Sequence, residues 1–459
     1  MGIPTTVIIR EGFTGLVANQ LEFMGFPKEV PTVFELPMMI VVPGSPLTAL
    51  EENIDNIIYS LTEWEPEVNE KSSLIESKVP FVGKDYEEVM TAVNLTFLKN
   101  DWGDGLPIIP PTEDRVNWIL GGSDLAPDTV IGQILPRGRT ATVETLAVSL
   151  AMTGGRPEYL PVLIAAVEAI LEPQVNHQMW QAFEASSFPV IIVNGPIGKQ
   201  IRLNSGYSCL GPHPSFPAGG NIGRALRFLL QNVGGAIPGA GAMGIYGNNR
   251  YCNAVFAEDE DGLPPGWNPL NVDLGLPSGT NTVTLHVASS ALTLSSGYAF
   301  AEAQAMTTLN QWTGILRTPM YGRAHKKKQI YTGGSPGVLL MNRTTAQGLK
   351  IALNWSKEDL KNFLWKETTL TPADVARYNM AGAVKSMGLA EGNPLPLTSS
   401  PGQFKVVVAG GIEGETGFWL STSGESYIDP TKGINLPAKW NQLLNEAKED
   451  LGPLPPGFL

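Results

Sequence analysis

Short apolar segments that end at a glycine turn or a proline alternate with helical patterns along this chain of 459 residues. "TTVIIREGF" predicts a β-strand that enters a turn, and "PTVFELPMMIVVP" contains a second apolar strand. Residues 45–64 predict a helix with one apolar face, formed by Leu47, Leu50, Ile54, Ile57, Ile58 and Leu61. This alternation predicts an α/β fold.

The length predicts more than one folding unit, since single cores tend to stop growing at roughly 250 to 300 residues. We expect a small N-terminal α/β unit in residues 1–65, a polar linker in residues 66–90, and a larger mixed α/β domain in residues 91–459. A small unit of this kind would leave a sheet edge exposed, which predicts a homo-oligomer that covers the edge.

The larger domain carries local signals for helices and strands. Thr112, Ser356 and Thr371 each precede a helical pattern as a capping residue, and Pro372 suits a first helical position. Strands are predicted at "FPVIIVNGP", "NTVTLHVAS" and "FKVVVAGG".

Charge and hydropathy exclude several classes of protein. The chain has 31 basic and 44 acidic residues, and its net charge of -13 argues against binding to nucleic acid or to an anionic membrane surface. No apolar run approaches the roughly 18 residues of a membrane span, and the first residues lack a basic leader. A cytoplasmic protein is therefore expected, and two cysteines exclude a disulfide-rich scaffold.

Metal and thiol chemistry have weak support in the sequence. The four histidines show no metal-ligand spacing and are interpreted as structural, so no metal site is predicted and the cofactor stays unknown. The acidic run of residues 258–261 either faces solvent, the favoured interpretation, or binds a cation. Cys209, with His213 nearby, and Cys252 are either nucleophiles or buried apolar residues, and the second reading is favoured.

"NDWGDGLPIIPPTEDRV", residues 100–116, places a Trp between two carboxylates in a turn rich in Gly and Pro. One interpretation makes Trp102 the wall of a small-molecule pocket, with Asp101 and Asp104 as an acid–base pair. The alternative is a packed structural turn, in which the two carboxylates cap backbone N–H groups.

Other polar residues follow turns, strand ends and helix starts. In "GGRPEY", Arg156 either holds a substrate carboxylate or joins Glu158 in tying the turn to a neighbouring helix. Asn194 ends an apolar strand, and Asn221 and Arg224 lie at a predicted helix start. We expect Asp101, Asp104, Arg156, Glu158 and Asn194 to converge. The candidate catalytic residues are Asp101, Asp104, Glu158 and Cys252, and the candidate substrate-binding residues are Trp102, Arg137, Arg156, Asn194, Asn221 and Arg224.

Several long motifs, taken together, resemble a known family. "DWGDGLPIIPPTEDRV", "PRGRTATVETLAVSLAMTGGRPEYLPVLIAAVEA", "VIIVNGPI", "NIGRALRFLLQNVGG", "VFAEDE" and "WSKEDLKNFLW" are similar to the large region of the UGSC family of (seleno)proteins, over roughly residues 1–430. "GIPTTVIIREGFTGLVANQ" is more distantly similar to the B component of glycine, sarcosine and betaine reductases.

This sequence departs from the family at the residues that carry its chemistry. It has no Sec/Cys-Gly-Ser-Cys motif, Gly155 stands where the family has a cysteine, and "NRTTA" lacks the histidine of the family's Pro-Glu-His-Ala. The resemblance implies a reductase complex, and the departures imply that its thiol or selenol would come from a small partner subunit.

Three functions remain open. In the first, the chain is an enzyme that acts on a small polar or anionic molecule by acid–base or electrostatic chemistry, with a lyase-like or hydrolase-like reaction. Alternatively, it is the substrate-binding subunit of a thiol- or selenol-dependent reductase. The third alternative is a catalytically silent scaffold subunit.

Overall fold

The computed structural model describes residues 4–23, 26–27, 30–41, 44–65, 78–184, 186–248, 254–295, 300–317, 319–324, 330–332, 337–386, 388–398, 400–412, 414, 416–422 and 428–454. Its helices and strands form a curled mixed sheet with helices packed on it and several two-stranded sheets, so the predicted α/β fold is confirmed.

The N-terminal segment forms a two-stranded parallel sheet with three helices. Its elements in chain order are β1 (Val7–Arg10), α1 (Thr14–Phe23), β2 (Val33–Leu36), α2 (Thr48–Glu51) and α3 (Ile54–Thr62). Both predicted strands are confirmed. The predicted single helix is wrong: it is interrupted before Ile54, and Ile54 and Ile58 are about half exposed, because this small unit has little core against which to bury them.

The next segment is mostly helical as far as the first long strand. It contains α4 (Tyr86–Lys99), α5 (Glu113–Leu120), β3 (Val130–Ile134), β4 (Arg139–Thr142), α6 (Val143–Met152), α7 (Leu160–Ile170), α8 (His177–Ala182), β5 (Phe188–Asn194), α9 (Ile197–Gln200) and α10 (Ala218–Phe228). A π-helical segment, Leu229–Val233, continues α10 without a break.

The remaining elements complete the sheet and cover it. They are β6 (Val255–Ala257), α11 (Leu270–Asp273), β7 (Thr282–Ser295), α12 (Glu302–Leu316), β8 (Pro319–Ala324), β9 (Ile330–Thr332), β10 (Gly337–Met341), α13 (Arg343–Leu353), α14 (Lys357–Glu367), α15 (Pro372–Arg377), α16 (Ala381–Ser386), β11 (Lys405–Val408), β12 (Thr416–Thr422), β13 (Thr431–Gly433) and α17 (Trp440–Leu451).

Side-chain caps fix several helix starts where the sequence predicts them. The Thr112 and Ser356 hydroxyls accept from the third residue of α5 and α14, and Thr371 does the same for α15. The start of α4 differs from the prediction. Asp85 caps it by accepting from the Glu88 N–H at 2.9 Å, so the helix begins inside the predicted linker.

The main sheet has the strand order β11-β10-β12-β7-β5-β6, and β13 pairs with β7. The pairs β10 with β11 and β5 with β6 are parallel, whereas the other pairs are antiparallel. The Asp259 N–H donates to the Val408 carbonyl at 2.7 Å, so the chain just after β6 contacts β11 at the far end of the strand order. The sheet is therefore curled.

The curled sheet separates three apolar cores. Its inner face buries side chains such as Phe188, Ile192 and Val407. The core outside β5, β6 and β7 includes side chains of α6, α7, α10 and α17, of which α7 and α10 contact the strands. The core outside β10, β11 and β12 includes side chains of α12, α13 and α14. Helix α10 thus packs against the sheet. None of the helices within the described ranges is long and apolar enough to cross a membrane.

Candidate functional site

The loop of residues 100–107 is fixed to the end of α10 by side chains of the π-helical segment. The Gln231 amide donates to the carbonyls of Asp101 at 2.9 Å and Gly103 at 2.7 Å, and the Asn232 amide donates to the carbonyl of Trp102 at 2.8 Å. Asp101 has a φ of 55°, in the left-handed region. Side-chain amides therefore hold this loop by hydrogen bonds to the backbone carbonyls of three successive residues.

Asp104 points to α10 and forms a two-pronged ion pair with Arg224. The Arg224 guanidinium donates to the two carboxylate oxygens at 2.8 and 2.9 Å and to the Pro107 carbonyl at 3.0 Å. Burial alone would raise the pKa of Asp104, whose side chain is 2% exposed, but the hydrogen bonds and charge of Arg224 outweigh it and lower the pKa. Asp104 thus stays ionised and orients Arg224, while Asp101 is exposed.

Gln231 and Asn232 were missed by the sequence interpretation. They lie seven and eight residues after Arg224, a spacing that brings all three side chains to one side of the helix. Gln231 is buried in an otherwise apolar stretch, "FLLQNV". Two adjacent amides in such a stretch could have indicated these residues, because buried amides need hydrogen-bond partners.

A cleft of about 380 Å³ lies at the N-terminal end of α10, and we call it the α10 cleft. Its lining residues are Thr153, Pro212, His213, Pro214, Pro217, Gly220, Asn221 and Arg224. Pro217, the residue before α10, offers no side-chain cap, so the positive end of the helix dipole faces this region without one. The cleft brings together two predicted substrate-binding residues, Asn221 and Arg224.

His213 adds a polar ring to the α10 cleft. Its Nδ1 accepts a hydrogen bond from the Ser215 N–H at 3.1 Å, so Nδ1 carries no proton and the neutral ring has its proton on Nε2. The favoured interpretation of Cys209 as a buried apolar residue is confirmed, and the alternative of a thiolate activated by His213 is not. Cys209 is buried in the inner core, where burial raises the pKa of its thiol to about 12. Cys252 lies outside the described residues.

A larger cavity of about 600 Å³ adjoins Trp102, and we call it the Trp102 cavity. Its lining residues are Lys78, Val79, Phe81, Val93, Phe97, Trp102, Pro110, Pro111, Thr112, Glu113, Val116, Asn117, Glu144 and Val148. Trp102 is half-buried and packs edge-on against Phe97, with ring centroids 5.5 Å apart. One loop thus contributes Trp102 to this cavity and holds, through Asp104, an arginine of the α10 cleft.

Arg156 and Glu158 are engaged in an ion-pair cluster with the last helix. The Arg156 guanidinium lies 2.6 Å from Glu158 and 2.8 Å from Asp450 of α17. Burial raises the pKa of Glu158, and the Arg156 charge only partly opposes the shift. This arrangement agrees with the second of the two interpretations of Arg156, in which Arg156 and Glu158 tie their turn to a neighbouring helix.

Asn194, at the end of β5, contacts the acidic run after β6. Its amide donates to Glu258 at 2.7 Å and Glu260 at 3.1 Å, and Glu258 lies 3.5 Å from the amine of Lys357. Glu258 and Asp259 are buried, so the prediction that the run faces solvent is wrong for these two residues. These residues are buried because the sheet curls. The curl brings β11, and Lys357 of α14, next to the segment that follows β6.

The five residues expected to converge are therefore bonded in different places. Asp104 belongs with Arg224, Arg156 with Glu158 and Asp450, and Asn194 with Glu258, while Asp101 is exposed. Apart from Asp101 and Glu158, each of these side chains has its own partner on a different element.

Arg137 lies in the turn between β3 and β4. Its N–H donates to the Gly234 carbonyl at 2.8 Å. Burial, with a smaller contribution from Arg139, lowers the pKa of the guanidinium to about 10. Arg137 is thus attached to the C-terminal end of the π-helical segment and is not among the residues that line the two cavities described above.

Within the described ranges, no three His, Cys, Asp or Glu side chains are grouped so as to hold a metal ion. Comparison of this chain with protein-family models, with curated proteins and with solved structures found no match.

Two histidines are buried and structural, as expected. His286 is hydrogen-bonded to Asp429 at 3.0 Å and to the Leu420 carbonyl at 3.2 Å, and His177 accepts from the Leu135 N–H at 2.9 Å. Burial lowers the pKa of His177 to about 4. His325 lies outside the described residues.

We predict that His177 makes the protein less stable as the pH falls from about 6.5 to 4. In that window the unfolded chain binds a proton at this residue and the folded chain does not, so the free energy of unfolding decreases as pH falls. The expected loss is roughly 3 kcal/mol, complete below the folded-state pKa. Urea unfolding at several pH values measures it, with His177→Gln as comparison. An equally steep pH dependence in His177→Gln would contradict the prediction.

Proposed function

We propose that this chain is an enzyme, or the substrate-binding part of one, that takes a small polar or anionic organic molecule in the α10 cleft. The observation that carries the proposal is the meeting of His213, Asn221 and Arg224 at the N-terminal end of α10. Donor groups and the positive end of a helix together favour a carboxylate or another oxyanion.

Arg224 is preorganised for such a ligand. Asp104 engages its Nε and one terminal nitrogen, which fixes the plane of the guanidinium, and the ring of Phe228 lies 5.0 Å beneath it. Because Asp104 offsets the arginine charge, the site favours polar groups and single negative charges over highly charged ones.

His213 supplies electrostatic rather than basic chemistry. Since its Nδ1 already accepts from the backbone, the neutral ring can only donate from Nε2. A donor of this kind stabilises negative charge that develops on a ligand oxygen, as a lyase-like or hydrolase-like reaction requires. His213 is therefore assigned the stabilising role. The Asn221 amide donates one hydrogen to the Pro217 carbonyl at 2.9 Å and has a second hydrogen with which to donate to the ligand.

Calorimetric titration with acetate, malonate and inorganic phosphate tests the proposal. We expect Asn221→Asp to weaken binding of the best of these anions at least tenfold, or about 1.4 kcal/mol, because it places a carboxylate in the cleft. Asn117→Asp is the matched control, since it makes the same change in the Trp102 cavity and should leave anion binding unaltered. Equal binding by both variants, or no binding to the wild-type chain, would refute the proposal.

A second candidate function is that of substrate-binding subunit in a thiol- or selenol-dependent reductase of the UGSC type. It is favoured by exposed apolar side chains on the N-terminal unit, among them Ile8, Met39 and Ile58, which a partner would cover. Native mass spectrometry of the protein purified from its own cell tests it. A co-purifying small subunit with a Cys-Gly-Ser-Cys or Sec-Gly-Ser-Cys motif supports this function, and a homo-oligomer alone counts against it.

A further inference from the structure

The Trp102 cavity has aromatic walls. Phe97 and Trp102 pack edge to face at an interplanar angle of 86°, and Phe81 lines the same cavity. Aromatic faces carry partial negative charge and attract cations, most strongly when the cation is poorly hydrated. The walls therefore favour a ligand with a soft positive charge.

The fixed charges of the Trp102 cavity leave a negative excess. Lys78 is neutralised by Glu113, whose carboxylate lies 2.8 Å from its amine at the exposed rim. Glu144, the third charged residue of the lining, makes no ion pair with any residue that the structure describes. Among the charged side chains of the lining, one carboxylate is thus without a basic partner, and it lies in the first turn of α6.

Two helix starts also border the Trp102 cavity, and both are already capped. The Thr112 hydroxyl accepts from the N–H of Arg115 in α5, and the Thr142 hydroxyl accepts from the N–H of Thr145 in α6. Each first turn also carries an acidic residue that offsets the helix dipole. These helix ends therefore do not make the cavity an anion site.

Apart from Thr112 and Asn117, the rest of the lining is apolar. Four valines and two prolines contribute to the lining, at Val79, Val93, Pro110, Pro111, Val116 and Val148. A hydrated inorganic cation would find too few oxygen ligands among them, whereas methyl or ethyl groups on nitrogen would pack against them. A volume of about 600 Å³ is ample for a small ligand.

We infer that the Trp102 cavity binds a small alkylammonium cation, against the aromatic lining of Phe81, Phe97 and Trp102 and on the side of the Glu144 carboxylate. This site is separate from the α10 cleft and opposite to it in charge preference. The inference does not depend on the proposed function, because it uses none of the residues that line the α10 cleft.

Calorimetric titration of the full chain with tetramethylammonium chloride tests the inference, and tert-butanol serves as a neutral molecule of similar shape. We expect tetramethylammonium to bind about tenfold more tightly than tert-butanol, because only the cation gains from the ring faces and the carboxylate. Equal affinity would overturn the inference and leave a simple apolar cavity. No measurable binding of tetramethylammonium would overturn it as well.

Three variants locate the site. Glu144→Gln changes an exposed residue, so it preserves the fold, and we expect it to weaken tetramethylammonium binding about threefold to tenfold. Trp102→Leu should abolish binding and Trp102→Tyr should retain most of it, which separates loss of the ring face from loss of folding. Asn221→Asp in the α10 cleft should have no effect. Wild-type affinity in both Glu144→Gln and Trp102→Leu would overturn the assignment.

Discussion

Replacing Arg224 by methionine is expected to lower the free energy of unfolding by about 3 to 5 kcal/mol, which is the range for breaking a buried ion pair at one partner. The Asp104 side chain is 2% exposed and both of its oxygens accept from Arg224, so the variant would leave an enclosed carboxylate without its counter-charge. The Pro107 carbonyl would lose a donor as well. Urea unfolding at pH 7 measures the change.

Two further variants make this test specific. The double variant Asp104→Leu with Arg224→Met should regain a large part of the loss, because it removes both charges from the buried site. Lys78→Met breaks the exposed pair with Glu113 and should cost less than about 1 kcal/mol. If Arg224→Met costs no more than Lys78→Met, the pair does not hold the loop.

Glu258→Gln is expected to cost roughly 3 kcal/mol or more, because a neutral amide would replace a fully enclosed carboxylate. One carboxylate oxygen accepts from the N–H of Leu270 at 2.6 Å and from the amide of Asn194 at 2.7 Å. The other lies 3.5 Å from Lys357, whose side chain is 5% exposed. A glutamine amide group would present a donor to groups that are themselves donors. Thermal unfolding followed by circular dichroism measures the effect.

A neighbouring acidic residue is the matched control for Glu258. Asp261 belongs to the same run but pairs with Lys199 at the surface, and Asp261→Asn should cost less than about 1 kcal/mol. Glu258→Gln combined with Lys357→Met should be less damaging than the sum of the two single changes, since they share a partner. Strict additivity would argue against a network.

The parts of the fold that the sequence predicts correctly depend on contacts within a few residues. Thr112 and Ser356 cap helices by accepting from the N–H three positions later. The strand Phe188–Asn194 is apolar up to Asn194, and the buried residues of Lys405–Val408 are all valines. Such signals lie inside a single window of sequence, so they can be interpreted without knowing the rest of the chain.

The site depended on contacts that no local window contains. Arg224 and Asp104 are 120 positions apart, and Asn194 and Glu258 are 64 apart, so neither pair can be identified from one sequence. The sequence nevertheless predicts Asp104, Asn221 and Arg224 as site residues, because Asp104 belongs to a turn and the other two to a predicted helix start. The sequence did not indicate the bonding partner of each of these residues. For that reason, the expected convergence of Arg156 and Asn194 with Asp104 was wrong.

The loop of residues 100–107 has a consequence for the energetics of the two cavities. Trp102 is a wall of one, and Asp104, two residues on, sets the orientation of Arg224 in the other. A ligand that shifts this short backbone segment on one side changes the free energy of occupancy on the other. For such a ligand, thermodynamic reciprocity requires the two ligands to alter each other's affinity by the same factor, and the loop is the segment through which the proposed anion and cation sites would be coupled.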